Sequence, residues 1–237
     1  MKNFLFPGAC VLCSGSLNEY NEIRFSLCVP CQNSVRLSEQ NNKCGICGKP
    51  LISEIGTCLP CRNGGERSYD KLYVLFPYIG KYRELLTSYK FNKNLTLADF
   101  FAEKIMEVIC SIPDLENIVI VPVPPRPGKI RDNGWDQVDH LVKRLKKLPG
   151  CPPVCYCLKR RKSKVQKKLN RSDRIENLKG RIFMKISAAV PFLNAGSTTT
   201  FIIIDDVITT GSTIEVCSAV LKEGGVQTVN GLCLFYD

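Results

Sequence analysis

The chain beyond residue 70 alternates between apolar runs and amphipathic stretches. Apolar runs predict strands at residues 72–78, 118–123, 201–204 and 226–235. The runs at 118–123 and 201–204 are typical of strands buried on both faces of a sheet. Residues 81–91, 97–109 and 135–148 have helical spacing. Because strands alternate with helices, we predict an α/β domain built on a parallel sheet, with a ligand at the carboxyl ends of the strands.

The first 65 residues lack this pattern and carry four C-x-x-C pairs. The pairs are Cys10 and Cys13, Cys28 and Cys31, Cys44 and Cys47, and Cys58 and Cys61. Four thiolates complete a tetrahedral Zn²⁺ site, so we predict two structural zinc sites. Consecutive pairing into two ribbons is our preferred arrangement, but the spacing leaves interleaved pairing open. Gly64 and Gly65 predict a linker between a double zinc-ribbon module (1–65) and an α/β domain (66–237).

Composition narrows the class of protein and its compartment. Fourteen cysteines would indicate disulfides in a secreted chain, but the repeated C-x-x-C spacing favours metal binding. No apolar run reaches membrane-spanning length, and the apolar part of the N-terminus is short for a signal peptide. We therefore predict a cytoplasmic protein that does not insert into membranes. Cys110, Cys217 and Cys233 lie in apolar stretches and are predicted core residues, whereas the sequence indicates no role for Cys151, Cys155 and Cys157.

Positive charge is concentrated in one segment. The net charge is +11, and residues 158–186 hold twelve lysines and arginines against two acidic residues. A mobile lid that closes over a pyrophosphate, a track for nucleic-acid phosphates and a plain solvated loop all fit the basic segment at 159–168. Composition does not separate these three interpretations.

Residues 201–213 (FIIIDDVITTGST) combine a strand, two acids and a small-residue loop. Asp205 and Asp206 follow the apolar run, and adjacent carboxylates need hydroxyls, a metal or a cation as partners. The loop at 209–213 has small side chains whose backbone N–H groups can close around a phosphate. Ser212 and Glu215 have the spacing of a capping box, which predicts a helix that begins just after the loop.

This block resembles the phosphoribosyl pyrophosphate (PRPP) signature of the type I phosphoribosyltransferases at all thirteen positions. The resemblance implies a type I phosphoribosyltransferase-like sheet flanked by helices. It assigns the ribose hydroxyls to Asp205 and Asp206. The 5′-phosphate falls to Thr209, Thr210, Gly211, Ser212 and Thr213, and magnesium would accompany the pyrophosphate.

A second loop, at residues 121–134 (VPVPPRPGKIRDNG), follows another predicted strand. Its prolines stiffen the loop, and Arg126, Lys129 and Arg131 bring positive charge to its tip. A pyrophosphate is a suitable partner for these cations. A solvated basic loop is the alternative interpretation.

Four segments together resemble the ComF-type competence proteins over nearly the whole chain. They are YKFNKN, PVPPRPGKIRDNGWDQ, LKRRKSKVQKKLNRSDRIENLKGRIF and IIIDDVITTGST, behind the double C-x-x-C module. The chain departs from the family at residues 133–137 (NGWDQ), where an Arg usually precedes the Gly and an Asn precedes the Gln. By resemblance, the residues facing the cleft are Lys90, Arg126, Gln137, Arg160, Gln166, Arg174 and Asn177.

The resemblance implies handling of incoming single-stranded DNA during natural transformation, with PRPP, single-stranded DNA and other competence proteins as partners. If the protein is an enzyme, a nitrogen nucleophile would displace pyrophosphate from ribose C1. Purine-salvage members of the superfamily commonly carry an Asp where this chain has Thr209, which is not a useful proton acceptor. Orotate-type members also lack that Asp, so the reaction at ribose C1 would depend on positioning and stabilisation of the leaving group. A nucleobase-salvage enzyme and a non-catalytic binding module are the alternatives. The single histidine, His140, is predicted to be exposed rather than catalytic.

Overall fold

The structure is a computed structural model that describes residues 8–37, 43–51, 53–63, 67–161, 176, 178–193 and 199–237. The strands are β1 (Lys71–Pro77), β2 (Ile118–Pro122), β3 (Leu158–Arg160), β4 (Ile182–Met184), β5 (Thr200–Ile208) and β6 (Thr228–Tyr236). The helices are α1 (Tyr20–Phe25), α2 (Val29–Ser34), α3 (Leu59–Arg62), α4 (Gly80–Lys90), α5 (Leu97–Cys110), α6 (Lys129–Asn133), α7 (Gln137–Leu145), α8 (Ile186–Leu193) and α9 (Ser212–Glu223). A short 3₁₀ helix at Leu115–Asn117 leads into β2.

A four-stranded parallel sheet in the order β1-β6-β5-β2 forms the centre of the fold. Helices α4, α5 and α7 pack on one face, where Phe76, Ile120 and Ile202 join the core. Helices α8 and α9 pack on the other face, against residues such as Val121 and Ile203. Both faces are covered, which is why the central strands are apolar without alternation. The predicted α/β fold with a parallel sheet flanked by helices is confirmed.

Strand β5 is longer than its apolar run predicts. It continues through Asp205 and Asp206 to Ile208, because it pairs with β6 as far as Tyr236. Its other neighbour, β2, ends at Pro122, which is paired with Ile204. The two acids therefore lie in the part of β5 that extends beyond the end of β2, where their side chains can face a cleft.

The predicted capping box of the helix after this loop is wrong. The N-cap of α9 is Gly211, in the left-handed region at φ +76°, and no side chain caps the helix. Glu215 instead accepts hydrogen bonds from the backbone N–H and the hydroxyl of Ser68, at 3.0 and 2.8 Å. It thus ties the chain before β1 to α9, a long-range use that local spacing does not indicate.

Two isolated groups of four cysteines lie in the N-terminal part. One group is Cys10, Cys13, Cys28 and Cys31, the other Cys44, Cys47, Cys58 and Cys61, and within each group the sulfur atoms lie within 4.8 Å of one another. This is the preferred consecutive arrangement. In each group the first pair lies in a turn, and the second pair begins at a helix N-terminus, with Cys28 before α2 and Cys58 before α3.

The chemistry of both groups fits a structural zinc ion. Four sulfur ligands complete a tetrahedral site and leave no position for a substrate. Burial opposes ionisation of Cys44, yet hydrogen bonds from the backbone N–H groups of Cys47, Cys58 and Ile46 lower its pKa to about 6. Burial raises the pKa of Cys47 and of Cys61, so a bound cation would be needed to hold these two as thiolates. A thiolate at neutral pH is the form that binds zinc. The expectation of two four-cysteine zinc-ribbon modules therefore fits the structure.

The first cysteine group packs on helix α5 and shares its core. The rings of Phe25 and Phe100 meet edge to face at 5.8 Å, and Arg24 forms an ion pair with Glu103 at 2.9 Å. Because these contacts join the two parts through buried apolar surface, the module is held against the sheet domain. The predicted linker at Gly64 and Gly65 lies outside the described residues.

The second cysteine group covers the free edge of β1. The ammonium of Lys43, a buried side chain, donates to the backbone carbonyl of Val74. Gly48 has φ +66°, and a Cβ at this position would lie 2.9 Å from the carbonyl oxygen of Leu72 and from Cγ2 of Val74. A glycine is therefore required for the turn to approach the strand this closely.

The cysteines outside the two groups differ in burial. Cys217 and Cys233 are fully buried, as predicted. Cys110 is exposed, so its assignment to the core was wrong, because it is the last residue of α5 and points away from the apolar face. Within the described part of the chain, every helix is too short or too polar to cross a bilayer.

We predict that Cys58→Ser halves the zinc content of the purified protein and lowers its thermal stability. The substitution removes one of four ligands, and structural zinc contributes directly to folding. Metal analysis and thermal unfolding measure both effects. Cys110→Ser is the matched control, since Cys110 is exposed and lies outside both groups. Equal zinc in the two variants would contradict the assignment.

We also predict that Gly48→Ala destabilises the protein more than Gly56→Ala does. Both glycines have positive φ, +66° and +70°, so each substitution carries the backbone cost of about 1–2 kcal/mol. Only at position 48 does the new methyl group meet β1, since nothing lies within 4 Å of position 56. Chemical denaturation gives both free energies of unfolding. If the two variants are equally stable, the second cysteine group does not pack on β1 as described.

Candidate functional site

A cavity of about 650 Å³ opens where the parallel strands end. Tyr78 follows β1, Val123 follows β2 and Asp237 follows β6, while Asp205 and Asp206 come from the last part of β5. The predicted site residues that line this cavity are Lys90, Arg126, Lys129, Gln137, Arg160, Asp205, Asp206, Thr209 and Thr213. Sequence positions more than 100 residues apart therefore meet at one edge of the sheet.

The acid pair forms the floor of the cavity and is almost completely buried. Only 9% of Asp205 and 6% of Asp206 is exposed. The ammonium of Lys90 lies 2.9 Å from Oδ2 of Asp206, and the Gln137 amide donates to the same oxygen at 2.7 Å. One carboxylate of the pair is thus matched by a cation and a neutral donor.

The two carboxyl groups are not equivalent. Burial, followed by the neighbouring charge of Asp206, raises the pKa of Asp205 well above its ordinary value. Burial also opposes the charge of Asp206, but Lys90 and Gln137 outweigh it and lower the pKa of that carboxyl. Because like charges in contact disfavour double ionisation, the negative charge of the pair resides on Asp206.

Lys129 holds Gln137 in the orientation that serves Asp206. Its ammonium lies 2.6 Å from Oδ2 of Asp136 and also donates to Oε1 of Gln137, which leaves the amide nitrogen to face Asp206. Asp136 is the N-cap of α7 and accepts from two backbone N–H groups at 3.0 Å. The predicted start of this helix at residue 135 is therefore two residues early.

Two arginines bring positive charge to the lining of the cavity. Arg126 is exposed, whereas Arg160 is half-buried in β3. The Nε atom of Arg160 is buried and has no hydrogen-bond partner among the described residues. Burial, and then the charge of Arg126, lowers the pKa of Arg160. An unsatisfied donor beside a second guanidinium is suited to bind an anion.

The loop between β5 and α9 is ordered by its own hydroxyls. The side-chain oxygens of Thr210 and Ser212 lie 2.8 Å apart, and Gly211 provides the left-handed turn. Thr209 and Thr213 face the cavity. The loop ends at the N-terminus of a twelve-residue helix, where backbone N–H groups favour a negative ligand.

One predicted cleft residue, Arg131, lies outside the cavity, and three others are not among the described residues. Arg131 is exposed, forms an ion pair with Asp132 at 3.0 Å and is not among the residues that line the cavity. Gln166, Arg174 and Asn177 lie outside the described residues, as does the basic segment after residue 161.

The prediction that His140 is exposed was wrong. It is half-buried, with Nδ1 3.4 Å from the hydroxyl of Tyr89, and its ring meets Trp135 at a centroid distance of 6.2 Å. Burial, and then the charge of Arg144, lowers its pKa, which favours the neutral ring. The hydroxyl of Tyr89 also donates to the backbone carbonyl of Gln137 at 2.7 Å. His140 therefore supports the site from behind.

The sequence did not indicate the aromatic residues of the cavity. Tyr78, Phe91 and Trp135 line it, together with Lys93. Each is the first or last residue of a predicted element, and a single aromatic residue at such a position carries no periodic signal. The proximity of Phe91 to Lys90, and of Trp135 to Gln137, is the one signal that could have found them.

The combined arrangement suits a ligand with hydroxyls at one end and anionic groups at the other. An ionised carboxylate accepts hydrogen bonds from hydroxyls. The loop at a helix N-terminus binds a phosphate through its N–H groups, and guanidinium groups donate to a second anion. A ligand without an anionic group would leave the buried Nε donor of Arg160 unsatisfied.

No protein-family model matches the chain. Among known proteins, competence protein F of Haemophilus influenzae is 27% identical over 238 residues, which cover 97% of this chain and 96% of that protein. Competence protein ComFC of Streptococcus pneumoniae is 26% identical and covers 88% and 86% of the two chains. The DNA utilization protein YhgH of Salmonella typhi is 27% identical, with 96% of each chain covered. Because proteins named competence protein F and ComFC match most of the chain, these homologues support its assignment to the ComF family.

Proposed function

We propose that the cavity binds PRPP with magnesium, and that the protein serves the handling of single-stranded DNA in natural competence. The observation that carries the proposal is the convergence in one cavity of the acid pair, the helix N-terminal loop and two guanidinium groups. The relatives named for competence and for DNA utilization support the biological setting.

PRPP matches the cavity group by group. The ribose hydroxyls would donate to Asp205 and Asp206, and the 5′-phosphate would bind the N–H groups of the loop at residues 209–213. The pyrophosphate would bind Arg160 and Arg126, which satisfies the free Nε donor of Arg160. Lys90 is already 2.9 Å from Asp206, so its ammonium can turn to the pyrophosphate once hydroxyls take its place.

Magnesium would enter with the pyrophosphate, whose oxygens supply the hard ligands that this ion prefers. When bound, it would neutralise charge on the leaving group. The chain's own contribution is to hold the sugar through Asp205 and Asp206 and to place Arg160 and Arg126 beside the pyrophosphate. Rate enhancement would then come from positioning the sugar and stabilising the leaving group, and not from a proton-transfer residue.

The reaction that fits is transfer of the phosphoribosyl group. A nitrogen of the acceptor would form a bond to ribose C1 while the bond from C1 to the pyrophosphate oxygen breaks. Pyrophosphate leaves with the electron pair, and the proton of the acceptor nitrogen is released to water. Thr209 offers no useful proton acceptor, and Asp136 is bound to Lys129. Positioning and stabilisation of the leaving group therefore carry the reaction.

The outer face of the β3-β4 hairpin carries the cations that a surface for single-stranded DNA would need. Lys159 is paired with Phe183 across the hairpin, and the guanidinium of Arg161 lies 4.9 Å from the centre of the Phe183 ring. The side chain of Arg160, between Lys159 and Arg161, faces the cavity instead. Alternation along one strand thus separates a cation for the cavity from two cations for the surface.

We predict that wild-type protein binds PRPP with magnesium and that Asp205→Ala/Asp206→Ala binds about 100-fold more weakly, because the ribose loses the charged acceptor Asp206 and the neighbouring carboxyl of Asp205. Isothermal titration calorimetry measures the affinity. Asp132→Ala is the control, since Asp132 is exposed and outside the cavity. If the double variant binds PRPP as wild type does, the assignment of the acid pair is refuted.

A salvage enzyme is distinguished by turnover. It would convert a free nucleobase and PRPP to a nucleotide and pyrophosphate. We expect PRPP binding without such turnover across the common free bases. Release of pyrophosphate with one of these bases would replace the competence proposal by the salvage alternative.

We predict that Lys159→Gln/Arg161→Gln weakens binding of single-stranded DNA and its dependence on salt. Each removed phosphate contact lowers the slope of log affinity against log salt concentration by about 0.7. Fluorescence anisotropy over a range of salt concentrations gives that slope. Lys71→Gln/Lys147→Gln removes the same charge elsewhere and serves as the control. An unchanged slope in the hairpin variant would exclude this face as the DNA-binding surface.

A further inference from the structure

The first cysteine group is connected to the loop that follows α4. Ser26 lies two residues before Cys28, at the end of α1, and its hydroxyl lies 2.5 Å from the hydroxyl oxygen of Thr96. The same hydroxyl donates to Oδ1 of Asn94 at 3.3 Å, and the hydroxyl of Thr96 donates to that oxygen at 2.5 Å. These contacts join the cysteine module to a loop that lies 68 to 70 positions further along the chain.

This loop connects Ser26 with the counter-charge of the acid pair. The backbone N–H of Asn94 donates to the carbonyl of Ser88, in the last turn of α4, at 3.0 Å. Lys90 ends that turn, and its ammonium lies 2.9 Å from Oδ2 of Asp206. A displacement of the loop would therefore move the end of α4 and the cation that it places beside the cavity.

Ser26 is held in place from within the first cysteine group. Its backbone carbonyl accepts from the N–H of Val11, which stands between Cys10 and Cys13, at 3.0 Å. Cys28 follows Ser26 by two residues and is the N-cap of α2. A metal ion bound to all four sulfur atoms would therefore fix both strands of chain that meet at this hydrogen bond. The two six-residue helices of the module are too short to be stable without such a ligand.

The first cysteine group is also the more accessible of the two. Cys13 is exposed, whereas the second group has three buried cysteines and one, Cys47, that is partly buried. A chelator or an oxidant therefore reaches the first group more readily than the second. The group that contacts the loop after α4 is thus the one whose metal is more easily removed.

We propose that zinc occupancy of the first cysteine group regulates PRPP binding, and that Ser26 is the positioning residue that transmits it to Lys90. The inference rests on the proposed function, because PRPP is the ligand whose affinity changes. With the metal bound, Ser26 holds the loop and keeps Lys90 within reach of Asp206 and of the pyrophosphate. Loss of the metal releases Ser26, and the ammonium is then placed less well. Coupling between two binding sites is reciprocal, so PRPP in turn strengthens zinc binding by the same factor.

Two equilibrium measurements test the coupling from both sides. Competition with a chelator of known affinity gives the zinc affinity of the first group, which PRPP with excess magnesium should raise about fivefold. Calorimetry on protein with one or two zinc ions bound should show the same factor in PRPP affinity. PRPP itself binds metal ions through its pyrophosphate oxygens. Wild type and variants are therefore compared at equal PRPP and magnesium concentrations.

Ser26→Ala separates the transmission from metal binding. It removes no sulfur ligand, so both zinc ions should remain, whereas PRPP should bind about fivefold more weakly and should no longer raise the zinc affinity. Ser14→Ala is the matched control, because Ser14 is exposed in the same module and also has a positive φ, +60° against +53° for Ser26. Hydrogen exchange gives an independent measure. The amides of residues 88–96 should lose protection in Ser26→Ala and on removal of one zinc ion, but not in Ser14→Ala.

Specific outcomes would overturn this regulation. Equal PRPP affinity with one and with two zinc ions bound would show that the cavity does not respond to the first group. An effect of PRPP on zinc affinity that persists in Ser26→Ala would reject Ser26 as the connection. Both results leave the proposed function intact, because PRPP still binds. Absence of PRPP binding by wild type with both zinc ions bound would instead reject the proposed function and the regulation together.

Discussion

The site depends on the burial of one negative charge at the end of β5. Asp206 has lost nearly all of its solvent, and an unpaired carboxylate in such a place would be strongly destabilising. Lys90 and Gln137 supply the compensating interactions, and Asp205 is left with a raised pKa beside it. A ligand that displaces Lys90 or Gln137 from Asp206 must therefore offer hydrogen bonds of similar strength to that carboxylate. Vicinal hydroxyls meet this requirement together with an anion that can receive the displaced ammonium of Lys90.

This constraint explains why distant segments converge. Lys90 ends α4 and Gln137 begins α7, and each helix is oriented so that one terminal residue reaches Asp206. Lys129 then fixes the amide of Gln137, while the hydroxyl of Tyr89 holds its backbone carbonyl. The compensation of one buried charge thus positions the two loops that carry Phe91 and Trp135.

How far the sequence predicted this arrangement follows from the range of each interaction. The apolar runs predicted the central strands because burial on both faces leaves a local pattern, and the acids and loop of residues 201–213 lie together in the chain. The ion pair of Lys90 with Asp206 joins residues more than 100 positions apart, so no local pattern could predict it. Glu215 shows the same limit. It has the spacing of a capping residue, but its carboxylate accepts hydrogen bonds from the distant Ser68 instead. Cys110 failed because the end of a helix escapes the periodicity that precedes it.

The second cysteine group also contributes to the position of Lys90. Strand β1 is the edge of the sheet, and an open edge exposes backbone groups to other chains. The second cysteine group covers this edge through Lys43 and the close approach of Gly48. β1 leads directly into α4, which ends in Lys90, the counter-charge of Asp206. A zinc ion that orders the module would therefore also stabilise β1, and through β1 the position of α4 and Lys90. The zinc ion would thus influence the cavity without contacting a ligand there.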